Sequence, residues 1–433
     1  MSKLVKTYLD EWIDEHGFLN GIYVPWLQAK WYGRDIGPNT LHGFDCEFNE
    51  GFVRKTFYNC KAIGFQMAKI WINEGFEGIE FDEKGSVIGP NPLFMKNLER
   101  LLQIANEVEL PISICLVNHN ESAFEGEKLE YDKYNRFMQI EAETEKYVTN
   151  YINPIVILGK KYGVTLFDLF AEPEAEGGLW GVSRSISWEA MTKFINRIGK
   201  AVKDIDPRFA TTVSSGSSYN TILAGCYSDI EVDYYGADIY TNSGQFANTM
   251  DMMLEKPFML GEYGPNDFRN APDSVQIQSL KNFFNSCDNY RAAGGFYWCY
   301  GWAGGGGEMH IVNLQGELRE TAAFLRFYEI DRESKRTGIV SRDVPCLAVT
   351  DSTEDIQWFG SRGAEEYILE FESDNGWQEV ETVKAEDYED FPKIVHASHH
   401  DSPEKANYRV TAVFADGEKI TSNELMLEKK VTY

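Results

Sequence analysis

Eight short apolar runs alternate with amphipathic segments between about residues 18 and 330, and this alternation constrains the fold more than any other feature. Short apolar runs predict buried strands, and apolar residues at helical spacing predict helices. Strands that alternate with helices form parallel sheets built from βα units. Eight such units are typical of the (β/α)8 barrel, the TIM barrel of the α/β class, which we predict for residues 1–335.

The predicted barrel strands cover residues 21–26, 67–72, 112–117, 166–170, 210–215, 232–240, 257–264 and 294–302. Helices are predicted over residues 52–63, 141–162 and 320–328, and Asn91 and Ser187 are expected to cap two further helices. Pro154 falls inside the longest predicted helix, where we expect it to interrupt the hydrogen bonding because it has no N–H.

The sequence changes in character near residue 335. Helical periodicity disappears, and strand-like segments separated by turn sequences such as Asn375-Gly376 and Asp416-Gly417 take its place. We therefore predict a small antiparallel β-sandwich of the immunoglobulin or fibronectin kind for residues 345–433.

The chain is strongly acidic, with 41 Lys and Arg against 68 Asp and Glu and a net charge of −27. Such a surface repels phosphate backbones and anionic lipids, so we expect neither nucleic acid nor membranes as partners. The first residues carry charges where a secretory signal needs an unbroken apolar stretch, which predicts a cytoplasmic location.

The 7 cysteines are scattered and form no C-x-x-C pair, so neither a zinc site nor a redox motif is predicted. A cluster of histidines at positions 396, 399 and 400 has no cysteine beside it, and we expect no metal there.

Two glutamates, Glu172 and Glu262, follow the fourth and seventh apolar runs, where reactive groups of TIM barrels lie. Their separation in sequence corresponds to about three βα units, and strands three apart face each other across the mouth of a small barrel. Paired carboxylates about 5–5.5 Å apart are what retaining glycoside hydrolysis requires. A purely structural role for the two residues is the alternative.

The same residues resemble the signatures of the clan A glycoside hydrolases, and most of all family 5, the cellulases and mannanases. Residues 257–264, Pro-Phe-Met-Leu-Gly-Glu-Tyr-Gly, fit the signature that ends strand seven, and residues 167–174, Phe-Asp-Leu-Phe-Ala-Glu-Pro-Glu, are similar to the one that ends strand four. Residues 294–298, Gly-Gly-Phe-Tyr-Trp, resemble the end of strand eight. The resemblance covers about residues 15–330.

The resemblance implies a retaining β-glycoside hydrolase that acts on β-linked oligosaccharides of the gluco or manno type without a cofactor or metal. Glu172 would be the acid/base and Glu262 the nucleophile. Tyr240, on the sixth strand, would hydrogen-bond the nucleophile.

Three positions depart from the family pattern. Ala171 stands where an Asn usually contacts the sugar 2-hydroxyl, and Asp238 stands where relatives often have His, which would alter the neighbouring subsite. Lys69 takes the place of the Arg that holds the nucleophile ionised. An ammonium can still lower the pKa of a carboxyl but lacks the planar two-pronged contact.

Further substrate contacts are expected from side chains at strand ends. Trp298 would form the floor under the sugar at the cleavage point, with barrel packing as the alternative. Glu174 and Glu176 are expected to lie in a solvated loop rather than to bind hydroxyls. The other candidates are the polar pair Asn118 and His119 and the tryptophans Trp26, Trp71 and Trp302, each of which could equally serve packing.

Two other functions remain open from the sequence. One is a non-catalytic carbohydrate-binding protein on a glycosidase barrel, suggested by Ala171 and Lys69. The other is a Schiff-base aldolase on the same fold, in which Lys69 would be the reactive amine.

Overall fold

The structure of the chain is a computed structural model. It describes residues 5–25, 48–72, 78–118, 136–174, 186–216, 222, 225–240, 256–264, 272–290, 292–301, 310–313, 317–350, 354–386 and 391–428. Among these residues, no helix combines the length and the apolar composition needed to cross a bilayer.

Eight parallel strands close into the barrel that the apolar runs predict. The strands of this part are β1 (Leu19–Tyr23), β2 (Met67–Trp71), β3 (Ile79–Phe81), β4 (Val87–Pro90), β5 (Ile112–Cys115), β6 (Leu166–Ala171), β7 (Ala210–Ser215), β8 (Tyr234–Ile239), β9 (Phe258–Tyr263) and β10 (Gly294–Tyr297). β3 and β4 pair as a separate antiparallel hairpin. The others follow one another around the barrel in chain order, and β10 closes it against β1.

Helices surround the barrel and cover its apolar outer face. They are α1 (Tyr8–His16), α2 (Glu50–Ile63), α3 (Pro92–Glu107), α4 (Glu141–Tyr147), α5 (Asn153–Lys161), α6 (Trp188–Ile205), α7 (Asp273–Tyr290) and α8 (Glu320–Thr337). Asn91 and Ser187 accept hydrogen bonds from the first turns of α3 and α6, as predicted. A π-helical turn, Val148–Ile152, joins α4 to α5, and Pro154 lies in the first turn of α5. The interruption predicted for the long helix is therefore a short π-helical turn between two α-helices.

The C-terminal part is the antiparallel sandwich that the turn-rich sequence predicts. Its strands are β11 (Cys346–Ala348), β12 (Ile356–Phe359), β13 (Ala364–Ser373), β14 (Gly376–Lys384), β15 (Ile394–Ala397), β16 (Lys405–Phe414), β17 (Lys419–Thr421) and β18 (Leu425–Glu428). One sheet has the order β11-β12-β15 and the other β14-β13-β16-β17, with β18 also paired to β16. Trp358, Tyr367 and Tyr408 are fully buried between them.

The sandwich packs directly on the barrel helices. Asn59 of α2 donates to the backbone oxygen of Val349 (3.0 Å) and accepts from the Val349 N–H (2.8 Å). Ala348, Phe359 and Ile394 belong to the same buried apolar cluster as the barrel helices. The buried cluster of the barrel helices therefore extends into the sandwich, which also has a separate core of its own.

Candidate active site

The two candidate carboxylates lie at the same end of the barrel. Glu172 directly follows β6, and Glu262 is the penultimate residue of β9. β6 and β9 are three strands apart around the ring. Because all strands are parallel, their carboxyl ends meet at one rim, which is where TIM barrels carry out chemistry.

Glu172 has an unusual backbone conformation, with φ of 56°. Left-handed backbone in a residue with a side chain costs of order 1–3 kcal/mol and must be held by its surroundings. The Glu172 N–H donates to the Ser214 carbonyl at 2.7 Å, which fixes the turn after β6. The turn directs the carboxyl group onto Gly216, since a Cβ at that position would overlap Glu172 Oε1.

A β-bulge in β9 sets the position of Glu262. Ala237 of β8 pairs with Leu260, but the next residue, Asp238, pairs with Glu262, so that Gly261 is an extra residue on β9. Bulges re-aim side chains next to functional sites. This bulge brings Asp238 and Glu262 side by side on neighbouring strands, with Asp238 only 3% and Glu262 only 8% exposed.

The carboxyl groups at this rim act on one another, and Tyr240 hydrogen-bonds one of them. The Tyr240 hydroxyl donates to Glu262 Oε2, as the resemblance implies. Burial, and then the charges of Glu262 and Glu172, raise the pKa of the Asp238 carboxyl group. Burial and the Glu172 charge raise the pKa of Glu262 to about 8, while the Tyr240 hydroxyl and the Lys69 ammonium act in the opposite direction. Two carboxyl groups that repel each other in this way retain a proton near neutral pH.

Lys69 acts to lower the pKa of Glu262, as expected, but its direct partners are other residues. Its ammonium forms a buried ion pair with Asp168 of β6 and lies 3.2 Å from Ser214 Oγ. Burial opposes the charge on Lys69, but the neighbouring Asp168 carboxylate prevails and the pKa of Lys69 is raised. A Schiff-base lysine needs a depressed pKa, so this environment disfavours the aldolase alternative.

Aromatic side chains line the rim beside the carboxylates. Trp298 is partly exposed, and its ring lies 5.1 Å from that of Tyr23 and 5.4 Å from that of Trp71. Trp71 is 3% exposed and donates its indole N–H to the Tyr23 hydroxyl. Trp298 is thus the more exposed of the two indoles, and Trp71 packs against it from within.

Asn118 lies next to the strand that carries Glu172. It is 1% exposed and forms an isolated bridge with Ala171, the residue in the place of the family Asn. The candidates His119, Trp26, Trp302 and Glu176 lie outside the described residues. No group of three or more His, Cys, Asp or Glu side chains in the described ranges could hold a metal ion.

The expectation that Glu174 lies in a solvated loop is wrong. Glu174 is fully buried, accepts from the Tyr227 hydroxyl at 2.7 Å and also accepts from the Ser215 hydroxyl. These bonds tie the segment that follows Glu172 to the end of β7. The sequence reasoning missed this role because the partner Tyr227 is remote in sequence.

Comparison with known proteins shows what the fold is similar to. No protein-family model matches the chain, and no curated protein matches its sequence. A β-mannanase from the blue mussel Mytilus edulis superposes with a TM-score of 0.51 at 17% identity, over 74% of this chain and 92% of that one. An endo-1,4-β-mannanase from Eisenia fetida gives 0.50 at 20% identity, over 72% and 91%. The chain shares its fold with these β-mannanases. The fold thus supports the resemblance to clan A glycoside hydrolases.

A β-glucuronidase from Bacteroides uniformis is also similar, with a TM-score of 0.49 and 12% identity over 95% of this chain and 46% of that one.

Proposed function

We propose that this chain is a retaining β-glycoside hydrolase that acts on β-linked oligosaccharides of the gluco or manno type. One observation carries the proposal: Glu172 and Glu262 come from strands three apart to one barrel rim, where the Glu172 charge acts on Glu262. The mannanase-like fold and the motifs at the ends of β6, β9 and β10 agree with it.

In the first step, Glu262 attacks the anomeric carbon while Glu172 gives its proton to the leaving oxygen. The glycosidic bond breaks, and a covalent glycosyl-enzyme ester forms on Glu262. In the second step, Glu172, now ionised, takes a proton from water, and the resulting hydroxide displaces Glu262 from the anomeric carbon. Two displacements leave the sugar with its original anomeric configuration.

Local partners favour this assignment over the reverse one. The Tyr240 hydroxyl and the Lys69 charge both favour an ionised Glu262, as a nucleophile must be. Glu172 interacts electrostatically with Asp238, another buried carboxyl group, and like charges in a buried site favour a proton on one of them. Formation of the ester removes the Glu262 charge, so the ionised form of Glu172 is no longer opposed by a neighbouring carboxylate and can accept a proton from water in the second step.

The sugar at the cleavage point would stack on Trp298, whose ring is partly exposed at the rim. Ala171 cannot contact its 2-hydroxyl, but the neighbouring Asn118 carries an amide at the adjacent strand end. We assign the missing amide contact to Asn118.

A panel of aryl β-glucosides, β-mannosides and β-galactosides tests the function by release of the phenol. Early NMR spectra of the products should show the β-anomer first, since retention produces it before mutarotation. The α-anomer first would exclude the retaining mechanism, and binding without phenol release on every substrate would favour a non-catalytic carbohydrate-binding protein.

Variants test the two roles separately. Glu262→Ala should abolish turnover, and a 2-deoxy-2-fluoroglycoside should label the parent at Glu262. Glu172→Ala should keep activity only on substrates with good leaving groups, and azide should restore it with a β-glycosyl azide as product. Glu189→Ala, on the exposed face of α6, is the matched control and should behave as the parent. Full activity of Glu262→Ala would remove the nucleophile assignment.

A further inference from the structure

Glu174 is a fully buried acidic residue, two positions after the proposed acid/base, that the mechanism does not use. Its Oε1 accepts hydrogen bonds from the Tyr227 hydroxyl, at 2.7 Å, and from the Ser215 hydroxyl. Its Oε2 accepts from the Gly216 N–H, with a nitrogen-to-oxygen distance of 3.4 Å. Burial of a carboxylate is costly unless hydrogen-bond donors satisfy it, and here three donors hold the group in one place.

Gly216 contacts both acidic side chains of this turn. Its N–H donates to Glu174, and the Glu172 carboxyl group lies against its α-carbon, where a Cβ would overlap Glu172 Oε1. The Glu172 N–H in turn donates to the backbone oxygen of Ser214. The three partners, residues 214–216, are consecutive at the end of β7. The position of Glu172 relative to β7 is therefore set by contacts on both sides of its turn.

A single residue, Pro173, separates the two glutamates. It is buried, and its ring fixes its own φ at about −65°. Glu172 has a left-handed backbone, with φ of 56°, and such a conformation persists only when its surroundings hold it. Because the connection is short and stiff, the contacts that fix Glu174 also restrict Glu172.

Tyr227, the donor to Glu174 that is most remote in sequence, is itself held in place. It is buried, and its ring lies 5.6 Å from that of Trp188, the first residue of α6. The Trp188 indole N–H donates to the backbone oxygen of Cys226 at 2.8 Å. Burial, and then the Glu174 charge, hold the pKa of Tyr227 well above its usual range, so the hydroxyl keeps the proton that it donates. Glu174 is thus anchored to the packed start of α6 as well as to β7.

We propose that Glu174 is a positioning residue that holds the Glu172 carboxyl group where it can protonate the leaving oxygen. The inference rests on the function proposed above and adds a residue to it. Glu174 takes no part in bond making, since the proton passes from Glu172 to the leaving oxygen. Without its three contacts, the left-handed Glu172 backbone would lose support, and the Glu172 carboxyl group would move away from Gly216.

Glu174→Gln tests the proposal, because it keeps the size of the side chain but replaces one acceptor oxygen with an NH2 group that would face a donor. The kcat/KM for the phenyl glycoside of the preferred sugar should fall about 10- to 100-fold, since a poor leaving group needs a well-placed acid. The kcat/KM for the matching dinitrophenyl glycoside, whose leaving group departs unprotonated, should change little. A loss of folded protein would lower both values alike. An effect of Glu174→Gln that does not depend on the leaving group, or no effect, would overturn the positioning role.

Tyr227→Phe removes one of the three donors and should give the same dependence on the leaving group, with a smaller loss. It carries the kinetic test by itself if Glu174→Gln fails to fold, and parent-like kinetics would then overturn the proposal. Tyr162→Phe is the matched control, because the Tyr162 hydroxyl donates to another glutamate, Glu99 of α3, at 2.7 Å on the outer helices. It should behave as the parent on both substrates.

Crystal structures separate this inference from the proposed function, since they need no turnover. In the parent, the Glu172 carboxyl group should lie against Gly216, and in Glu174→Gln, or in Tyr227→Phe if only that variant folds, it should be displaced. Displacement in a chain that cleaves no glycoside would support the positioning role and remove only the activity. A Glu172 carboxyl group that stays against Gly216 in the variant would overturn the inference.

Discussion

The carboxyl group of Glu172 lies directly over the α-carbon of Gly216, the residue that follows β7. A Cβ at position 216 would overlap Glu172 Oε1 and Cδ. The backbone of Gly216 is outside the left-handed region, so alanine meets no strain of its own there. Because residue 216 is a glycine and has no Cβ, the Glu172 carboxyl group has room to lie there.

Gly216→Ala should displace Glu172 and lower kcat/KM by about 100-fold, because small misplacements of a catalytic group cost that much. The fold should persist, with a melting temperature within a few degrees of the parent, about the change expected of one tolerated substitution. Glycoside kinetics measure the change in kcat/KM, and calorimetry measures the melting temperature. Parent-like kinetics in a folded Gly216→Ala would show that Glu172 does not act from this position.

Tyr240→Phe should weaken the nucleophile. The Tyr240 hydroxyl donates to Glu262 and lowers the pKa of that carboxyl, so its loss should raise the Glu262 pKa further above about 8. Glu262 must be ionised to attack, and the acidic limb of the kcat/KM profile should therefore move to higher pH. A hydrogen bond to a charged group contributes about 1.5–3 kcal/mol, so kcat should fall about 10- to 100-fold. An acidic limb that stays in place would argue against Glu262 as the titrating nucleophile.

Glu262→Gln should stabilise the protein at alkaline pH. The folded-state pKa of Glu262 is about 8 against a usual value of 4.5. Between these values the folded chain holds a proton that the unfolded chain has released, so stability falls as the pH rises. The upper limit of this effect is about 5 kcal/mol, from about 1.4 kcal/mol for each unit of pKa. Thermal unfolding from pH 5 to 8 should show a flatter profile for Glu262→Gln, and parallel profiles would contradict the burial-raised pKa.

Trp298→Ala and Trp71→Phe should have different effects. Trp298 is partly exposed, and loss of its ring should raise KM and lower kcat/KM by about 10-fold or more, since stacking on an aromatic face contributes a kcal/mol or two. Trp71 is buried, so Trp71→Phe should lower the melting temperature while changing KM little. Equal kinetic effects of the two variants would indicate that both rings contact the sugar.

Much of the barrel could be predicted because each of its strands is an apolar run with polar residues at its ends. The 210–215 run matches β7 residue for residue, and the positions of Glu172 and Glu262 at the ends of their strands followed from the same pattern. The end of a parallel strand is a local property of the sequence, and barrel closure then places all such ends together.

Long-range pairing of charged groups could not be predicted in the same way. Lys69 was expected to act on Glu262 and does so, but its ion pair with Asp168, inside the apolar run before Glu172, was not predicted. The presence of Asp168 within a buried strand indicated that a cationic side chain must lie near it. It did not indicate which residue supplies that side chain. The bulge at Gly261, which pairs Asp238 with Glu262, depends on three strands at once and leaves no local signature.

The paired hydrogen bonds between Asn59 and Val349 join a barrel helix to the start of the sandwich. A chain shortened to end after α8 would leave the Asn59 amide with only its bond to the Tyr300 hydroxyl and would expose apolar residues of α2 to water. We therefore expect the barrel alone to be less stable than the full chain, so that the C-terminal part serves as one wall of the barrel's own packing.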